Sequence, residues 1–191
     1  MIDRADISDH INILVWSGFE GEEEIARGIL EDELDPRELS EADRAWVRQE
    51  VRRQMAEKRQ IEKTWPAETS WDRLDRVFQR LKAANIIALH DAGYTQSDGL
   101  DLVGEILSDQ RGSADRAKGY CFYHRQDLER VVVSKELYLS FGAFSEDDKS
   151  TIPRMIASGL SDEGFAVEWN GNLKQRILVS GLAWRKRSPT G

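Results

Sequence analysis

Leu137-Tyr138-Leu139-Ser140-Phe141-Gly142-Ala143 repeats with a period of two, as in a strand with one face buried. Leu137, Leu139, Phe141 and Ala143 share one face, and Tyr138, Ser140 and Gly142 share the other. Upstream, Gly119-Tyr120-Cys121-Phe122-Tyr123-His124 has the aromatic content that sheets favour, and Ile86-Ile87-Ala88-Leu89 reads as a shorter, fully buried strand. Downstream, Phe165-Ala166-Val167-Glu168-Trp169 and residues 176–184 flank Asn170-Gly171-Asn172, a strong hairpin signal. Five strands follow from these segments.

Helices fall between them. Leu74, Val77, Phe78 and Leu81 recur at the spacing of one helical face, opened by Thr69 or Ser70. A short helix is expected over 100–107 with Asp98 as its cap, followed by a polar loop over 112–118. A turn or short helix is expected over 126–132. Residues 147–161 form a longer helix with Pro153 in its first turn and Ile152, Met155, Ile156 and Leu160 toward the core. The alternation of helices and strands predicts an α+β fold. Its mixed sheet has about five strands, with helices mainly on one face.

Before residue 66 the pattern is helical throughout. Ile7, Ile11, Leu14 and Val15 make one stripe, stopped by Gly18. Ile25, Ile29, Leu30 and Leu34 make a second over 22–34. Ser40, with Asp43 three residues on, opens a third helix whose face runs Val47, Val51, Met55, Lys58, Ile61. Trp65-Pro66 closes it, because proline disfavours helical geometry in the residue before it. The expected organisation is an all-helical N-terminal extension over 1–65, an α+β domain over 66–187 and a flexible tail over 188–191. Trp46, Trp65 and Trp71 are expected to dock the extension, and Trp169 and Trp184 to bracket the hairpin.

Charge separates the same regions. Residues 1–70 carry the whole net charge of −8, and 71–191 balance. Eleven acids between Glu20 and Asp43 face only Arg27 and Arg37. Such a block repels phosphate, which argues against nucleic acid and favours a basic protein partner; a plainly solvated surface explains the same run. No apolar run approaches the ~20 residues of a membrane helix, and the start lacks a signal pattern, so a cytoplasmic location and no membrane association are expected. The lone Cys121 reads as a small buried hydrophobe.

Phosphate-loop, dinucleotide, nucleophile-elbow and zinc motifs are absent, and no cofactor or metal is expected. The remaining chemistry lies between Gly93 and Asp127. His90-Asp91 ends the first strand, Tyr94-Thr95-Gln96-Ser97-Asp98 leads into a helix, and His124-Arg125-Gln126-Asp127 ends the second strand. If the two strands are parallel neighbours, their ends share a rim. His90 and His124 with Asp91 or Asp127 then form a candidate acid/base pair or two-nitrogen, two-oxygen ligand set, with Tyr94, Thr95, Gln96, Asp98 and Gln126 as ligand-binding residues. The simpler reading is that the carboxylates cap helices and the imidazoles bond backbone carbonyls.

Trp71-Asp72-Arg73-Leu74, the loop Gly93 to Gly99, Gly119 to Asp127, Leu137 to Ala143, Val167 to Gly171 and Trp184-Arg185 together resemble an uncharacterised bacterial domain family over residues 65–187. The resemblance implies Cys-x-x-Cys at the positions held here by Thr95 and Asp98, so thiolate metal chemistry is not expected in this chain. It implies no activity. Two functions stay open: a non-catalytic interaction protein, in one form an immunity or inhibitor protein that masks a basic partner, and an enzyme or small-ligand binder using His90, His124 and Asp127.

Overall fold

The computed structural model describes residues 2–109 and 116–189, which form two compact units, Met1–Thr69 with Trp184–Gly191 and Ser70–Ala183. In the first unit, α1 (Arg4–Ser17) starts at Asp3, whose carboxylate accepts from the Ala5 and Asp6 amides, and stops at Gly18 in the left-handed region, φ 78°. The second expected helix divides. It is α-helical over Glu22–Arg27 (α2) and π-helical over Gly28–Glu33, where the Leu34 amide reaches back to the Ile29 carbonyl at 3.1 Å. The wider turn keeps Ile25, Ala26, Ile29 and Leu30 all buried. α3 (Glu41–Glu62) begins at the expected Ser40–Asp43 capping box.

The core of this unit joins Ile11, Leu14 and Val15 of α1 to Ile25, Ile29 and Leu30, and to Val47, Val51 and Met55 of α3. Trp46 packs against it. Ile61, expected on the same stripe, is 43% exposed, since the helix continues past the core that its earlier turns cover. Lys58 is fully buried. Its ammonium donates to the Val15 carbonyl at 2.9 Å and lies 3.5 Å from Glu62, yet burial lowers its pKa to about 8.

The C-terminal segment belongs to this helical unit. Trp184 is buried and donates from Nε1 to the Ser17 carbonyl at 2.9 Å, so it does not bracket the hairpin. Arg187 bonds the carbonyls of Glu62 and Pro66, and Ser188 bonds Glu62 through both its amide and its hydroxyl. Ser188 is thus anchored where a flexible tail was expected; 190–191 lie outside the described residues.

In the second unit the strands are β1 (Ile86–Leu89), β2 (Gly119–Phe122), β3 (Leu137–Ala143), β4 (Ala166–Glu168) and β5 (Ile177–Ser180), in the order β1-β2-β3-β5-β4. β1 and β2 run parallel, and the other neighbours are antiparallel. Four helices accompany them: α4 (Ser70–Ala83), α5 (Gln96–Asp109), α6 (Arg125–Ser134) and α7 (Thr151–Asp162). α5 is the crossover between the parallel strands and packs Val103 and Ile106 on the face bearing Ile87 and Phe122. A Cβ on Gly99 would strike the Phe122 ring at 2.4 Å, which is why α5 approaches the sheet through glycine. A Cβ on Gly119, of opposite parity, would strike Ile152 of α7 at 2.5 Å. Phe78 of α4 meets Tyr123 at a 5.8 Å ring separation. α4 and α7 share one face of the sheet, and α5, the crossover between the parallel strands, lies on the other.

Some boundaries moved. α6 is a full helix of 10 residues, and α7 starts at Thr151 and leaves Met155 41% exposed on its outer side. The β4–β5 connection spans 169–176, one residue longer at each end than the strands expected over 165–169 and 176–184 leave. Asn170 Oδ1 accepts from the Asn172 amide at 3.0 Å, and the Trp169 indole donates to the Asn172 carbonyl at 3.1 Å. Much of the loop expected over 112–118 lies outside the described residues. Among the described residues no helix is long and apolar enough to cross a membrane.

Candidate functional site

Pairing of Leu89 with Phe122 ends the parallel ladder, so both strands deliver their chains to one rim. The continuations are laced together. The Ala92 amide bonds the Tyr123 carbonyl at 2.8 Å, the Arg125 amide bonds the Gly93 carbonyl at 2.9 Å, and Gln126 reaches Tyr94 in the same way at 3.3 Å. Arg125 grips Asp91 through Nε and Nη2 at 3.1 and 2.7 Å. Gly93 has φ 70°, and a Cβ there would lie 2.4 Å from that of Asp98.

The loop residues 94–98 build a helix start. Asp98 accepts from the amides of Tyr94 and Thr95 at 3.1 and 2.8 Å, while Thr95 Oγ1 accepts from the Asp98 amide at 3.3 Å. Thr95 is therefore the cap, and Asp98 sits at the third helical position instead of capping a helix that starts at 100. The backbone bond from Thr95 and its hydroxyl hold the Asp98 carboxyl below the usual carboxylate range. Gln96 and Gln126 are exposed, as is Tyr94 at 55%.

The two histidines occupy different networks. His90 continues β1 with the parity of Ile86 and Ala88, toward α4. Its Nε2 meets Asp75 Oδ1 at 3.0 Å and its Nδ1 meets Tyr123 Oη at 2.8 Å. The ring stacks on Phe78 with centroids 4.1 Å apart and tilts against Trp71 at 5.5 Å. Since an ionised Asp75 only accepts, Nε2 carries the proton and Nδ1 accepts from the phenol. Tyr123 is fully buried, and desolvation raises its phenol well above the usual range. Cys121 is buried on the same face, its thiol pushed up by burial.

His124 has the opposite parity, that of Tyr120 and Phe122. Its Nε2 and its backbone amide each lie 3.2 Å from Asp127 Oδ2. The same oxygen accepts from Arg176 Nη2, and that nitrogen also donates to the Tyr138 carbonyl at 2.6 Å. His124 and Asp127 are 4% and 2% exposed. Desolvation lowers the His124 pKa, outweighing the raising pull of Asp127. No described group bonds His124 Nδ1, Ser140 Oγ or Arg176 Nε, all three of them buried.

Strand register collects these atoms. Ser140 pairs with Phe122, and Tyr138 pairs with Leu178 of β5. Continuing both ladders sets Arg176 opposite Ser140 and His124 opposite Tyr138, on one face. Beside them lies a groove of about 540 Å³ lined by Arg130, Tyr138, Lys174, Gln175 and Arg176. None of its lining residues is acidic. The Arg130 and Arg176 guanidiniums lie 5.3 and 5.5 Å from the Tyr138 ring centre, two cations on one phenol.

Of the residues expected at a site, the structure joins His124 with Asp127, and His90 with neither. Tyr94, Thr95, Gln96, Asp98 and Gln126 belong to the rim and to helix starts. Arg130, Tyr138, Lys174 and Arg176 went unnoticed in the sequence, although the outward alternation of Tyr138 and Ser140 was a usable signal. Among the described residues no three of His, Cys, Asp and Glu gather as metal ligands.

Part of the acidic block meets basic side chains. Glu22 and Glu23 meet Arg52 and Arg48 of α3 at 2.9 and 3.6 Å, Glu33 meets His10 at 3.0 Å, Asp43 meets Arg4 at 3.3 Å, and Asp35 meets Arg37 at 2.8 Å.

A family model described as Domain of unknown function (DUF6891) matches residues 2–188. No curated protein and no solved structure matches the chain.

Proposed function

Since the chain belongs to this domain family, whose description carries no activity, we propose from its geometry that the sheet unit binds a small anionic ligand in the groove at Arg130, Tyr138, Lys174 and Arg176. One observation carries the reading: three cations line a concavity without a lining carboxylate, beside buried polar atoms that no described group bonds. Like charges gathered on one phenol repel, and an anion between them relieves that repulsion. Guanidiniums also match the paired oxygens of carboxylates and phosphates. A basic protein partner, the reading suggested by the acidic block, has to displace the ion pairs that α1 and α3 already make with it.

Calorimetric titration of the full chain with sulfate, phosphate and small dicarboxylates tests the proposal. Binding with a Kd on the order of 1 mM or tighter is expected. It should weaken at least tenfold in Arg130→Ala/Lys174→Ala, whose exposed side chains contribute little to folding. Binding unchanged in that variant, or no binding at all, overturns the proposal.

A further inference from the structure

Behind the groove, one carboxylate oxygen serves two cationic partners of different kinds. Arg176 Nη2 and His124 Nε2 both meet Asp127 Oδ2; Arg176 is permanently charged, whereas His124 titrates. With a neutral imidazole, Asp127 offsets the charge of Arg176. With an imidazolium, the same carboxylate faces two positive charges, and the excess lies beside the groove that Arg176 lines. We infer that anion binding in this groove is coupled to proton uptake by His124, so that oxyanions are held more tightly in mildly acidic than in mildly alkaline solution. This rests on the groove being the ligand site.

The groups acting on the ring set the sign. Asp127 on α6 and Asp98 on α5 favour the imidazolium, while Arg176 before β5 and Arg130 on α6 oppose it, and burial opposes it most. An anion seated against Arg130 and Arg176 neutralises the two opposing cations, so proton affinity at His124 rises. Reciprocity then requires the anion to bind more tightly to the protonated protein by the same factor. Protonation turns His124 Nδ1, which no described group bonds, from an acceptor into a donor. The matching ligand class is a small oxyanion fully ionised near neutrality, since a ligand that itself takes up the proton loses the attraction.

Sulfate is the probe, because it keeps both charges between roughly pH 5.5 and 8. Two measurements on the full chain are compared at matched ionic strength. Calorimetry should give a sulfate Kd about fivefold lower at the acidic end, as expected for one added charge at partly screened range. NMR titration of the imidazole rings should show His124 binding its proton about fivefold more tightly in sulfate than in chloride. The chain has 3 histidines, so His10 and His90 serve as internal references. His124→Gln, which keeps an N–H for Asp127 and cannot charge, should bind sulfate as the unaltered protein does in alkali and lose the pH dependence. Sulfate binding that is independent of pH, with His124 titrating alike in both salts, overturns the coupling and leaves the groove intact. No sulfate binding at either pH overturns groove and coupling together.

Discussion

His90 and His124 follow adjacent parallel strands, yet their surroundings differ in kind. His90 has both ring nitrogens bonded, to Asp75 and Tyr123, and an aromatic ring stacked on its face. His124 shares Asp127 with Arg176, keeps one nitrogen unpartnered and adjoins a groove lined by cations. The difference teaches that residue type and strand-end position do not make a site. A polar cluster whose donors and acceptors are all matched stabilises the fold, whereas one with atoms left over beside a concavity has hydrogen-bonding capacity to spare, which is what the proposed anion site uses.

Variants can break that contrast. The largest effect is expected from Arg176→Met, which strands the buried Asp127 carboxylate with only His124 and should cost about 3–5 kcal/mol in denaturant unfolding. Sulfate binding should vanish with it. His90→Ala should cost about 2–4 kcal/mol, because it opens a cavity against Phe78 and removes the partner of a buried phenol. Its sulfate affinity should stay unchanged, and a loss there would join the two networks that the structure separates. Tyr123→Phe is the gentler version, costing about 1 kcal/mol by the same measurement.

Acid sharpens the comparison further. Because the His124 pKa is lowered in the folded protein, its neutral form adds stability above the ordinary histidine pKa, and that contribution disappears as pH falls through the unfolded and then the folded value. Sulfate should recover part of that loss in thermal unfolding scans, and it should not do so in His124→Gln. Asp98→Asn should have the smallest effect, a modest destabilisation confined to pH above the carboxylate range, since the folded state holds that carboxyl ionised through the Thr95 and Tyr94 amides. Circular dichroism across the acid range checks it.

Much of the scaffold was legible beforehand. The stripes Leu74-Val77-Phe78-Leu81 and Val47-Val51-Met55 are buried as their period requires, and Leu137 and Leu139 face inward. Capping chemistry was legible at Ser40 and misplaced at Asp98, because Thr-x-x-Asp looks the same whether the first or the last residue is the cap. The candidate site was only half legible. His124 and Asp127 stood out through their types, but Arg176 lies 49 residues beyond Asp127 and resembles any charge flanking a strand. Lys174 in the β4–β5 connection, Arg176 before β5 and Arg130 on α6 converge through the packing of elements far apart in the chain, which no local pattern encodes.

What the sequence determined by itself is periodic and local: which segments are helices or strands, which face of each is apolar, where Gly18 and Ser40 bound them, and which region holds the net negative charge. Tertiary structure alone decided that β5 inserts between β3 and β4, that the chain after Ala183 returns to the helical unit, and that His90 and His124 part to opposite faces. The physical reason is that side-chain period is written in consecutive residues, whereas a binding site depends on register between strands far apart in the chain. There a shift of one residue exchanges the faces and scatters the cations.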